Sequence, residues 1–291
     1  MDFADKCHQV WNSSRREPPS LLYHYTDAKG LIGMCETGKM WASRYDYLND
    51  PIEDKYGRDL IATVFRRTAE EQTNADIKKF FLSIATGYSD KAPGFESHWY
   101  IISFSEDGDD LSQWRSYADD GNGYSLGFGV NGDSGLNGEF LHPVCYNKNN
   151  QMEMIEEIAK LCIEHFKKEV VTPVLFTSAF YQIAPVLSAL SITMKQPAYK
   201  AEKEWRYVWQ PEKNKHHLVS FRDGERSTII PFVESKLMGI NGELDMLPID
   251  DLILGPQRGK DQSSIDLLLR KSLNKPPHTK QSDIKYGKGS V

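Results

Sequence analysis

The run Trp99-Tyr-Ile-Ile-Ser-Phe-Ser105 constrains this chain more than any other stretch. Its aromatic and β-branched residues, in a segment too short for a buried helix, predict a strand that must find partners elsewhere in the sequence. After it comes the acidic turn Glu106-Asp-Gly-Asp-Asp110, then a short helix through Tyr117, then a second apolar strand, Gly123-Tyr-Ser-Leu-Gly-Phe-Gly-Val130. Strand, helix and strand in so little chain predict a sheet with a helix laid on it.

The other strands of that sheet are scattered. Leu21-Leu-Tyr-His-Tyr25 and Lys39-Met-Trp-Ala-Ser43 read as strands flanking a helix over 28–37, which Thr26-Asp27 caps and Gly38 stops. Asn49-Asp50-Pro51 is a turn whose proline opens the next helix. Further strands are predicted over 139–146, 204–209, 217–221, 227–232 and 251–254, with a helix over 263–272. Helical stretches near 54–89 and 151–190 interrupt the series; in the second, Met154, Ile158, Leu161, Cys162 and Phe166 recur at helical spacing. No repeat and no Pro/Gly-rich linker divides the sequence, which reads as one α+β domain over 1–291.

A chain of 291 residues buries about 70 to 75% of its unfolded surface, so it folds without disulfide or metal. Cys7, Cys35, Cys145 and Cys162 are far apart with no Cys-x-x-Cys pair, which argues against a zinc site and fits a reducing, cytoplasmic setting. Neither an export signal nor a membrane span is expected from the N-terminal residues or from any apolar run. The net charge of −6 does not point to a nucleic-acid binder. It is uneven, however: from Arg270 onward six cations face one anion, Asp283, so the tail is basic and the remainder more acidic than the whole. A solvated tail or a phosphate contact both fit.

Polar residues suited to a ligand gather in three places. In Tyr23-His24-Tyr25-Thr26 a histidine near a strand end lies just before a helix N-terminus. A neutral imidazole there can donate to a ribose hydroxyl, and the helix N–H groups can meet an anion. Strand alternation puts His24 on the face opposite Tyr23 and Tyr25, and a purely structural histidine fits equally. The second place runs from Ser103 to Tyr117. Gln113 and Tyr117 share a helix face with Trp114 beside it; an aromatic ring can stack on a heterocycle and Arg115 can fork onto phosphate, or the aromatics simply anchor the helix on its sheet. In the third, Glu202 and Glu204 share one strand face if the strand begins that early, as paired acids would. Alternatively they form a charged edge, or partner Lys203 and Arg206. Glu106 to Asp110 lacks calcium-loop spacing and reads as a turn with a helix cap, and the neighbours His216 and His217 do not suit a metal.

Taken together, Tyr-His-Tyr-Thr, Asn-Asp-Pro, Ser-Gln-Trp-Arg-x-Tyr, Glu-x-Glu-Trp-Arg and Ile253-Leu-Gly-Pro256 resemble a family of uncharacterised bacterial domains, over about 21–286. The order of the clusters is also similar to the His-Tyr-Glu branch of the ADP-ribosyltransferase superfamily, most closely over 101–130. That resemblance implies a split antiparallel sheet with flanking and inserted helices, and NAD as substrate. It implies that His24 holds the adenosine-side ribose, Tyr117 stacks on nicotinamide and Glu204 is catalytic. The family's glycine after the histidine is Tyr25 here, and its first strand tyrosine corresponds to about Ser103. The activity implied is ADP-ribose transfer to a protein or nucleic-acid acceptor, or to water, as in a toxin or phage-defence effector, with Glu202 positioning the acceptor. Tyr25, Thr26, Ser103, Gln113, Trp114, Arg115 and Tyr117, with His24, are the residues expected to bind NAD. Two other classes stay open: a non-catalytic nucleotide sensor using the same cleft, and a nuclease holding a divalent metal on Asp50, Glu202 and Glu204.

Overall fold

The computed structural model describes residues 2–48, 51–95, 99–132, 135–209, 218–224, 228–257, 262–273 and 275–285. It is α+β in class. The helices are α1 (Phe3–Asn12), α2 (Ala28–Thr37), α3 (Pro51–Glu70), α4 (Ala75–Asp90), α5 (Leu111–Tyr117), α6 (Lys148–Lys168), α7 (Pro173–Ile192) and α8 (Gln262–Ser272). The strands are β1 (Leu21–Thr26), β2 (Met40–Arg44), β3 (Tyr100–Ser105), β4 (Tyr124–Gly129), β5 (Leu141–Pro143), β6 (Glu204–Trp209), β7 (Val219–Asp223), β8 (Ile229–Ser235), β9 (Met238–Gly239), β10 (Gly242–Glu243), β11 (Ile249–Leu254) and β12 (His278–Gln281). The chain forms two compact units, each assembled from separate segments: 1–16, 44–99 and 143–200 in the first, 17–43, 100–142 and 201–291 in the second.

The first unit is helical and contains both long insertions, 54–89 and 151–190. Its helices begin where side chains can take the free N–H groups. Asn74 accepts from the amides of Asp76 and Ile77, Asn147 from those of Asn149 and Asn150, and Thr172 from Leu175 just ahead of Pro173. Their apolar stripes meet in one cluster that includes Phe65, Phe81, Ile155, Ile158, Ile183 and Leu187. Each such side chain removed from water stabilises by about 1.5–3 kcal/mol. Helix α7 is long and apolar enough to cross a membrane by length and composition; here Ile183, Val186, Leu187 and Leu190 are buried in this cluster. It packs closely on α3, since a Cβ added at Gly57 would lie 2.5 Å from the Ser191 carbonyl oxygen. Polar groups buried here are matched. Asp54 takes Arg58 at 3.1 Å and Lys91 at 3.2 Å, Lys91 also reaches Asp46 at 3.1 Å, and Lys195 lies 3.5 Å from Glu53.

The second unit is built on a large sheet with the strand order β12-β11-β4-β1-β3-β2-β8-β7, with β6 pairing β3 and β5 pairing β6. Its registered pairs are antiparallel except β11 with β12, which is parallel. Alternate residues Leu22, Ile102, Phe104, Leu126, Phe128, Trp205, Tyr207 and Leu252 turn to one face and pack with Leu31 and Met34 of α2 and Ile265 and Leu269 of α8. Helix α2 stops at Gly38, whose φ of 64° is the left-handed conformation that glycine adopts without steric cost. On the opposite face Trp114 and Ala118 pack with Tyr25 and Ile253, laying α5 on the sheet.

Among the described residues the predicted strands and helices are found with ends shifted by up to three residues, and four differences stand out. The strand expected over 139–146 shrinks to β5 because Gly138–Phe140 takes a 3-10 turn. The helical stretch 54–89 breaks into α3 and α4 where Asn74 caps a new helix. Helix α1 is not among the expected elements although Phe3, Cys7, Val10 and Trp11 recur at helical spacing and pack on the helical core; β12 carries little apolar patterning and is an edge strand within the basic tail, held by backbone pairing to β11. The parallel β11 and β12 pair departs from the purely antiparallel sheet that the resemblance implied.

Candidate functional site

Strand β1 pairs with β4 over six residues and β3 pairs with β6 over six, yet β1 and β3 meet only at Tyr23 and Ser105. The sheet opens beyond that single pair, and His24 fills the opening. Its Nδ1 lies 2.9 Å from the Ser103 carbonyl oxygen and its ring stands edge-on to Phe104. A carbonyl only accepts, so Nδ1 carries the proton and, in the neutral ring, Nε2 is left as an acceptor. Burial lowers the His24 pKa, partly offset by this bond to Ser103, which keeps the ring neutral at pH 7. The donor role expected of His24 is therefore corrected: a ribose hydroxyl can donate to Nε2 but cannot receive from it.

Ser103 links the histidine to a carboxylate. Its hydroxyl donates to Glu204 Oε1 at 2.7 Å, and Arg206, fully buried, donates to the same carboxylate through Nε at 2.8 Å and Nη2 at 2.9 Å. Residues two apart on β6 share a face, which is why Glu204 and Arg206 meet, and Ser103 stands opposite Arg206 in register. Through the Tyr23, Ser105 and Glu204 pairs this face is also that of Tyr23 and Tyr25. His24 leaves β1 on the other face and reaches this network only through the Ser103 backbone. The three groups expected around one pocket are thus joined by Ser103 rather than facing each other directly.

Glu202 is not on the strand. Residues Pro197–Glu202 form a 3-10 turn, Lys203 has a φ of 46°, and β6 begins at Glu204, so the expected pair of acids on one strand face is not formed. The Glu202 carbonyl instead accepts from the Ser105 hydroxyl at 2.8 Å. Among the described residues no three His, Cys, Asp or Glu groups cluster as metal ligands, and Asp50 lies outside those residues.

The Gln113 to Tyr117 helix divides by exposure. Trp114 is fully buried, edge-on to Tyr25 at 5.0 Å, and donates Nε1 to Asp109 at 2.7 Å, so its ring has no free face for a heterocycle and the stacking role expected of it is corrected. Gln113 is buried beside it, while Arg115 and Tyr117 are exposed. Tyr117 is thus the aromatic of this motif that a ligand can reach. Tyr25 uses its hydroxyl to hold the acidic turn, donating to the Asp107 carbonyl at 2.8 Å and accepting from the Asp110 amide at 3.0 Å. Asp110 then caps α5 through the amides of Ser112 and Gln113. Thr26 ends β1 as a buried residue, and Asp27 takes the Gly30 amide at 2.7 Å. That carboxylate already balances the positive end of α2, so the expected anion site at this N-terminus is filled by the chain itself.

Arg206 appeared in the sequence only as one of two cations near the acids; its full burial came from the pairing of β6 with β3. Asp109 escaped notice inside an acidic turn, yet it holds Trp114, the Ser282 hydroxyl at 2.6 Å and the Asp283 amide at 2.8 Å. No spacing in the sequence signals that role.

A family model described as a protein of unknown function (DUF2971) matches residues 113–207, from α5 through most of β6. That segment contains Gln113 to Tyr117, Glu202, Glu204 and Arg206 but neither His24 nor Ser103. No curated protein and no solved structure matches the chain.

Proposed function

We propose that this chain binds NAD beside the opening between β1 and β3 and cleaves the bond between nicotinamide and ribose, passing ADP-ribose to a protein or nucleic-acid acceptor or to water. The observation that carries this reading is the hydrogen-bonded series His24, Ser103, Glu204 across three neighbouring strands where β1 and β3 part. The resemblance to the His-Tyr-Glu transferases implies a split sheet. Nicotinamide leaves as a neutral base, so no acid is required, and positive charge grows on the ribose. A preorganised carboxylate at that point lowers the barrier by about 3–4 kcal/mol. In this reading Glu204 supplies the charge, Ser103 and Arg206 fix its orientation, Nε2 of His24 accepts from a ribose hydroxyl, and Tyr117 stacks on the nicotinamide.

A second reading draws on Arg206. A carboxylate gripped through both oxygens by a fully buried guanidinium has much of its charge already compensated and offers less to a cation. It then serves as a structural pair, and the site is a nucleotide sensor that leaves NAD intact.

Nicotinamide release from NAD, with transfer of label to lysate components, separates the two. The transferase reading expects metal-independent release that falls about 10²-fold or more in Glu204→Gln, with circular dichroism confirming the fold of the variant. Saturable NAD binding without release by the wild type sinks catalysis and leaves the sensor. Equal release by wild type and variant removes Glu204 from the mechanism.

A further inference from the structure

We propose that Arg222 and Ser43 form a binding site for a phosphate group on the face of the sheet opposite its apolar core. Arg222 projects from β7 opposite Ile230, and Ser43 projects from β2 opposite Phe232; both strands flank β8. The arginine reaches over β8, and its Nη2 donates to the Ser43 hydroxyl oxygen at 3.1 Å. Its Nε is buried and has no hydrogen-bond partner among the described residues. No acid among the described residues pairs with this guanidinium, and Glu234, the acid on this face of β8, is taken by Lys39 at 3.1 Å. Arg222 differs in this from Arg206 and Arg58, which meet Glu204 and Asp54.

A guanidinium stays protonated in proteins, and a partly buried one without a counter-ion is costly to keep. A buried donor with no partner calls for an ion or ligand to fill it. The donors present suit several oxygens at once. The unpaired Nε–H and the Nη groups form a fork, and Ser43, which accepts from Nη2, retains its own proton to donate. Two residues along β2 on the same face, Trp41 is 44% exposed and rests on the Phe232 ring at 4.6 Å. It offers a flat platform beside the fork for the ring of a phosphate-bearing ligand. This site does not depend on the NAD reading, because it uses neither Glu204 nor His24.

The test titrates the full chain with sodium phosphate, with ADP, and with sodium chloride at matched ionic strength, following heat of binding and the thermal midpoint. Saturable binding of phosphate and ADP, with no effect of chloride, is expected for the wild type. Arg222→Gln should weaken both by at least about tenfold, and Ser43→Ala by less. Without phosphate, the midpoint of Arg222→Gln should be unchanged or higher, because the uncompensated charge is gone. Arg222→Lys, which keeps the charge but loses the fork, should bind with intermediate affinity and covers the case in which the glutamine variant does not fold. Tighter binding of ADP than of phosphate, lost in Trp41→Ala, identifies a nucleotide as the source of the phosphate; equal affinities insensitive to Trp41 identify a free oxyanion, and both results support the site. Absence of saturable phosphate binding to the wild type overturns it. So does an Arg222→Gln protein that is less stable yet binds phosphate as the wild type does.

Discussion

The two units of this chain treat buried charge differently. In the helical unit each buried ionic group among the described residues has an opposite partner: Glu53 has Lys195, and Asp54 has Arg58 and Lys91. In the strand unit Glu204 and Arg206 are matched in the same way, but Arg222 keeps a buried nitrogen with no partner among the described residues. Helices carry charges outward on flexible side chains, so pairs can assemble at turn spacing, as Asp54 and Arg58 do. A strand fixes the direction of each side chain, and a cation on the wrong row for an acid stays unmatched unless something else meets it. Unmatched charge therefore reads here as capacity for a ligand, and matched charge as a carboxylate or cation held in a fixed orientation.

The largest expected effect tests the matched side of that contrast. Arg206→Met strands Glu204 in a buried place and should cost about 3–5 kcal/mol in a urea titration, while the double variant Glu204→Gln, Arg206→Met should recover most of the loss. If the double variant is as unstable as the single one, the guanidinium is holding more than its partner carboxylate. In the helical unit Phe81→Ala should cost a similar amount, about 3–5 kcal/mol, through the cavity it leaves, without altering phosphate affinity. A change in that affinity would show that the two units are energetically coupled.

Smaller effects sharpen the picture within the strand unit. Tyr25→Phe removes the hydroxyl that joins the Asp107 carbonyl and the Asp110 amide and should cost about 1–3 kcal/mol by chemical denaturation. Loss of nicotinamide release in that variant at full stability would instead place Tyr25 at the ligand. The smallest effect is a pH dependence. His24 has a folded pKa below its ordinary value of 6.5 because burial penalises its charged form. A proton therefore binds the unfolded ring first, and the stability held by the neutral His24 is complete above pH 6.5 and lost as pH falls through the lower folded pKa. Thermal midpoints of wild type and His24→Asn should converge with falling pH, and parallel curves would mean that the ring titrates alike in both states.

Much of the sheet was legible in local chemistry. Glu204–Trp209 and Tyr100–Ser105 carry the aromatic and β-branched residues that a strand needs, Asp27 and Gly38 bracket α2 as cap and stop, and Pro51 opens α3. The site was legible only as a set of residue types. His24, Ser103 and Glu204 could be nominated from their motifs, but nothing local shows that Ser103 bonds both of the others, that Trp114 is sealed under Tyr25, or that Lys203 turns Glu202 off the strand.

By itself the sequence determined the identity of most elements, their caps and their apolar faces, because those depend on neighbours a few residues away. Only the tertiary structure decided which strands pair and where the sheet parts. With that it decided which polar residues find partners. Arg206 meets an acid two residues away on its own strand, a partner readable in the sequence, whereas Arg222 crosses to a serine from distant chain. That crossing arises from strand order and register, which are set by contacts between segments far apart in the chain and leave no local mark.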